Sequence, residues 1–125
     1  AAREKSLNSA LIRVTRMLKI DASAAVFLLG SSKLALFKRR FAGERARRAV
    51  DVLAFPEPSG FPHPESRKRF LGEIYINKEV AKRSVGEATA LLIHGFLHLL
   101  GYTHEGKGDT MKMERKETEL LSGVG

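Results

Sequence analysis

Three of the four histidines in this 125-residue chain fall within eleven positions, at His94, His98 and His104. The first two are four residues apart in a segment that reads as helix. That spacing places both imidazoles on one helix face, a turn apart, within reach of one ion. Gly101 then stops the helix and lets the chain turn sharply. His104, three residues further on, is able to return toward the same ion. The pattern is H-x-x-x-H-x-x-G-x-x-H. Three neutral imidazoles hold a tetrahedral Zn2+ and leave a fourth position for water or substrate, whereas a closed structural site normally takes four protein ligands. Three ligands therefore point to catalysis. A single histidine on an apolar helix is usually a satisfied core residue, and a pair at i, i+4 also arises by chance. The third histidine beyond the glycine lifts the pattern above both readings. His63 stands in a proline-rich stretch and reads as a surface residue. One zinc ion is favoured over nickel, cobalt or copper by donor set and availability.

The same histidine spacing occurs in metzincin peptidases, where a glutamate directly after the first histidine acts as general base. Gly95 occupies that position here. Glycine cannot take a proton, so an ordinary zinc-peptidase mechanism is disfavoured. Charge points elsewhere. Residues 1–56 hold 12 Lys/Arg against 4 Asp/Glu, and residues 57–125 hold 10 of each. The whole surplus of +8 thus lies in the first half, densest at Lys38, Arg39 and Arg40 and then Arg45, Arg47 and Arg48. Such a patch suits contact with phosphate backbones; a solvated basic face is the plain alternative. With no cysteine, disulfides and thiolate-held metals are excluded. No apolar run reaches the length needed to cross a bilayer, and AAREKSLNSA lacks the apolar core of a signal peptide. A cytoplasmic location and no membrane partner are the expectation.

The elements that must position these residues follow from periodicity. Residues 4–19 read as a helix, with Leu7, Leu11, Val14 and Leu18 at helical spacing. Residues 24–29 suit a buried strand. Ser31 and Ser32 offer N-caps for a helix to about residue 41. Residues 45–49 form a basic connector, and residues 50–55 read as a second strand. The stretch 56–69 holds all four prolines and reads as a loop. Residues 71–76 suit a third strand, and Asn77 caps a short helix over 78–82. Ser84, with Glu87 three residues later, forms a capping box for a helix to about Leu100. That helix is apolar on most faces and is therefore expected at the centre. A last helix spans about Thr110 to Leu121. The expected fold is a single α+β domain over residues 1–125, with a small mixed β-sheet and about five helices packed around the central metal-bearing helix.

The stretch His94-Gly95-Phe96-Leu97-His98-Leu99-Leu100-Gly101-Tyr102-Thr103-His104 resembles the H-G-x-L-H-L-x-G-Y-D-H signature of the YbeY endoribonucleases. Asp51-Val52-Leu53-Ala54-Phe55-Pro56 is similar to that family's T-D-V-L-S-F-P strand, and Leu71-Gly72-Glu73-Ile74 to its L-G-D-I strand. Met113, Glu114, Glu117 and Glu119 suit its acidic tail helix. The likeness covers about residues 20–122. It implies a zinc-dependent, single-strand-specific endoribonuclease acting in ribosomal RNA maturation and ribosome quality control, with the ribosome or its assembly factors as further partners. Several positions depart from the family pattern. Thr103 replaces the aspartate before the third histidine, Ala54 replaces a serine, and Phe41-Ala42-Gly43 has alanine where the family's Y/F-R-G has its arginine. Arg45, Arg47 or Arg48 are the candidates to supply that guanidinium. The family's opening strand has no counterpart before the first helix. No general base is evident, since Glu105 reads as solvated. A zinc-stabilised RNA-binding assembly factor with weak or no catalysis is the second function class. A zinc hydrolase of peptides or small molecules is the third.

Overall fold

The structure is a computed structural model that describes residues 2–41, 51–57, 69–103 and 105–124. Among these, five helices and three strands occur in the expected order: α1 (Ala2–Leu18), β1 (Ala22–Leu29), α2 (Ser31–Phe41), β2 (Val52–Pro56), β3 (Arg69–Asn77), α3 (Lys78–Arg83), α4 (Val85–Leu99) and α5 (Lys107–Val124). None of these helices is long and apolar enough to cross a membrane. The fold is the expected α+β type with a small mixed sheet. Strand β3 is central, parallel to β1 and antiparallel to β2.

The core lies between one face of this sheet and helices α1, α4 and α5. It unites Leu7, Leu11 and Val14 of α1 with Val26 of β1 and Ile74 and Ile76 of β3. Leu92, Ile93, Phe96 and Leu97 of α4 and Met113 and Leu120 of α5 complete it. Neighbouring residues of a strand point to opposite faces, so Tyr75, between the two buried isoleucines, faces away from α4. There it stacks on Phe27 at 5.1 Å and meets Phe37 of α2 edge-on at 5.6 Å. Helix α2 therefore covers the side of the sheet opposite α4.

Several boundaries differ from expectation for local reasons. Helix α5 begins at Lys107, not Thr110, because the Gly106 carbonyl accepts from both the backbone N–H and the hydroxyl of Thr110. Helix α1 ends where Lys19 takes a left-handed backbone at φ 57. Strand β3 runs longer than expected and carries an irregularity. Ser23 and Ala25 of β1 face Phe70 and Glu73, so β3 has one extra residue there. Gly72 lies in this bulge at φ +145. A Cβ on Gly72 would overlap the Phe55 carbonyl oxygen of β2. The glycine in Leu71-Gly72-Glu73-Ile74 is thus a close backbone approach that no other residue permits.

Candidate metal centre

Helix α4 is set at both ends. Ser84 accepts from the Glu87 N–H at 3.1 Å, as an N-cap should. The reciprocal arm of the expected capping box is not made. The Ser84 N–H already donates to the Val80 carbonyl that closes α3, and the Glu87 carboxylate pairs with Arg83 at 2.8 Å. At the other end Gly101, at φ +105, donates to the His98 carbonyl, and Tyr102 donates to the Leu97 carbonyl. This bond pair is a Schellman turn, in which the glycine carries the left-handed residue.

Between these ends α4 buries Ala88, Leu92, Ile93, Gly95, Phe96 and Leu97. The helix is central, as expected, but not buried all round. The face bearing the two histidines opens outward, with His94 half-buried and His98 exposed. Their rings lie 4.7 Å apart between centroids at 80°, and their Nε2 atoms face one another at 3.2 Å. Each Nδ1 has a partner on its far side. That of His94 lies 3.2 Å from Oε1 of Glu117 on α5, and that of His98 lies 3.0 Å from the Tyr102 carbonyl oxygen. Carbonyl and carboxylate oxygens only accept, so both Nδ1 atoms donate. In neutral rings the two Nε2 atoms then carry lone pairs. Two lone pairs aimed at each other repel unless a cation lies between them. Around a tetrahedral ion with bonds of about 2.0–2.1 Å, two nitrogen donors stand roughly 3.3 Å apart. The spacing of the pair and the chemistry of its donors therefore fit zinc.

Gly95 faces the other way. A Cβ there would meet Ile74 Cγ2 at 3.0 Å and Val52 Cγ2 at 3.2 Å. Position 95 is where α4 presses on the sheet, so a side chain at this point enters the core rather than the histidine face. Thr103, in the place of the family's aspartate, directs its hydroxyl to the Asp109 carboxylate at 3.4 Å. A carboxylate thus stands beside position 103, contributed by the first turn of α5.

The structure brings His94 and His98 together. His104 lies outside the described residues, as do His63, Arg45, Arg47 and Arg48, and Ala42 and Gly43. Among the described residues no group of three or more His, Cys, Asp or Glu could hold a metal. Lys38, Arg39 and Arg40 form the last turn of α2, where positive charge complements the helix dipole. They belong to the helix on the far side of the sheet from α4, so they do not share a face with the histidines. Glu117 was missed as a site residue. The signal for it was in the sequence: it stands four residues after Met113 and three before Leu120, in the buried stripe of α5.

A model of the family described as Endoribonuclease YbeY matches residues 3–125. The chain belongs to this family. It is 36% identical over 115 residues to the endoribonuclease YbeY of Anaeromyxobacter sp., an alignment covering 86% of this chain and 57% of that protein. With the endoribonuclease YbeY of Nitrobacter winogradskyi it shares 32% over 115 residues, covering 84% and 60% respectively. With that of Agrobacterium fabrum it shares 39% over 90 residues, covering 62% and 51%. The chain thus spans somewhat more than half the length of these YbeY relatives. The departures at Ala54, Thr103 and Ala42 are accordingly variations within the family.

Proposed function

We propose that this protein is a zinc-dependent endoribonuclease that cleaves single-stranded RNA, with ribosomal RNA as its substrate. The observation that carries the reading is the facing pair of Nε2 atoms on His94 and His98, 3.2 Å apart with both Nδ1 atoms engaged, in a chain of the YbeY family. His94, His98 and His104 would hold the ion. Zinc in such a site supplies a Lewis acid that draws charge from a phosphate oxygen. The chain's own residues do the rest. The Tyr102 carbonyl holds the His98 imidazole in one tautomer and one orientation. Lys38, Arg39 and Arg40, with Arg45, Arg47 and Arg48 downstream, neutralise RNA backbone. A strand that touches both α2 and the histidines has to pass around an edge of the sheet, because the two sets lie on opposite sides. Work at the ribosome in the cytoplasm, beside assembly factors, belongs to the same reading.

Gly95 weighs against peptide hydrolysis on packing grounds as well as chemical ones, since a base at that position would enter the core. Purified protein should contain zinc and cleave a short single-stranded RNA, and a chelator should abolish the cleavage. His98→Ala should lose both metal and cleavage. Full cleavage by the metal-free variant would sink the reading. Zinc binding and RNA binding without cleavage would leave an assembly factor instead.

A further inference from the structure

Helical periodicity calls for an apolar residue at position 117. Met113 and Leu120, four before and three after it, are both fully buried against α4. A glutamate in that stripe loses hydration and needs a compensating partner. Its Oε1 meets Nδ1 of His94 at 3.2 Å, with the two side chains only 26% and 28% exposed. The other side of the carboxylate opens on a groove between α4 and α5, of about 320 Å³, lined also by Ala90, Ile93 and Glu114.

We propose that Glu117 is the positioning residue of the metal centre. Its carboxylate fixes His94 in the Nδ1–H tautomer and aims Nε2 at His98, and so raises the affinity of the histidine set for zinc. The inference rests on the zinc reading above. It goes further in making α5 part of the site, so that metal binding and the docking of α5 on α4 support each other. His98 obtains the same service from the turn that ends its own helix. His94, in mid-helix, takes its acceptor from another element.

The test uses Glu117→Gln and Glu117→Ala. Both side chains fit a position that borders a groove, and Gln keeps the shape and an acceptor while removing the charge. Zinc affinity is read by competition with a chromophoric chelator. It should fall roughly 10-fold or more in the Ala variant, within the 10–100-fold range usual for such partners, and less in the Gln variant. The second reading needs no metal. Long-range proton–nitrogen NMR of the metal-free protein reports which ring nitrogen of His94 carries the proton. The wild type should show Nδ1–H, and Glu117→Ala should lose that fixed state. A bridge that merely pins α5 to α4 would lower the melting temperature and leave the tautomer in place. An unchanged His94 tautomer therefore overturns the proposal. A wild-type protein that takes up no zinc overturns the zinc reading instead, and the tautomer still decides the role of Glu117.

Discussion

Replacing glycine by alanine at two points of α4 should change stability in opposite directions. Alanine in place of glycine favours a helix interior by about 1 kcal/mol, and at a compatible site the net gain is about 0.4–1 kcal/mol. Gly86, in the first turn of α4, is a compatible site that gains part of this. It is exposed, and a Cβ there would have only the Ser84 Oγ nearby, at 3.7 Å. Gly95, in the helix interior, carries the full propensity gain but a different environment. Its Cβ would stand 3.0 Å from Ile74 and 3.2 Å from Val52. Ile74 is fully buried in the central strand and has nowhere to move. Overpacking of this kind typically costs about 1–3 kcal/mol, which equals or exceeds the propensity gain. Gly86→Ala should therefore raise the stability, and Gly95→Ala should lower it by up to about 2 kcal/mol. For a domain of this size 1 kcal/mol corresponds to roughly 4 °C in melting temperature. Urea unfolding of the three proteins, read by helical circular dichroism, gives the difference directly. A Gly95→Ala variant stabilised as much as Gly86→Ala would refute the claim that α4 rests on the sheet at this residue.

Two further outcomes follow from the sheet. Gly72→Ala should be the more damaging substitution, costing about 3 kcal/mol or more, because it combines strain at φ +145 with overlap on the Phe55 carbonyl; a soluble variant melting within a few degrees of wild type would contradict the bulge geometry. Burial, followed by the charge and hydrogen bond of Glu73, raises the Tyr75 hydroxyl above its ordinary value of 10.0. The folded state then keeps this proton at pH values where the unfolded chain has lost it, so stability declines as pH rises from about 10 through the folded value. Tyr75→Phe should flatten that decline in denaturant midpoints taken on either side of pH 10, and an equally steep loss in the variant would assign it to other groups.

Much of this arrangement was legible in the sequence because it is written in local patterns. The order of the eight elements followed from apolar periodicity, and the end of α4 from Gly101. The facing of His94 and His98 followed from their spacing alone. What the sequence hid depends on contacts between distant segments. Glu87 is a good capping-box residue by position, yet Arg83 takes its carboxylate because the Ser84 N–H is already committed to α3. The early start of α5 rests on the carbonyl of a glycine that local propensity scores poorly. Position 117 in the apolar stripe of α5 marks Glu117 as unusual, but only the packing of α5 on α4 brings its carboxylate to His94. The basic cluster Lys38-Arg39-Arg40 gave no hint of the face on which its helix lies. The alternation of β3 decides that, by putting Ile74 toward α4 and Tyr75 toward α2.

The histidine signature also means something different once its glycines are placed. H-x-x-x-H-x-x-G-x-x-H with a glutamate after the first histidine describes a peptidase, and with glycine it describes this family. The difference reads at first as a lost base. The contacts at position 95 give it a structural cause, because the residue after His94 packs directly against Ile74 of the central strand. A glutamate there would press its side chain into Ile74 and Val52, where burying an unpaired carboxylate is costly. Position 95 therefore cannot supply an acid or base to the proposed centre. Among the described residues, the carboxylates seen in contact with the histidine segment, Glu117 at His94 and Asp109 at Thr103, both belong to α5.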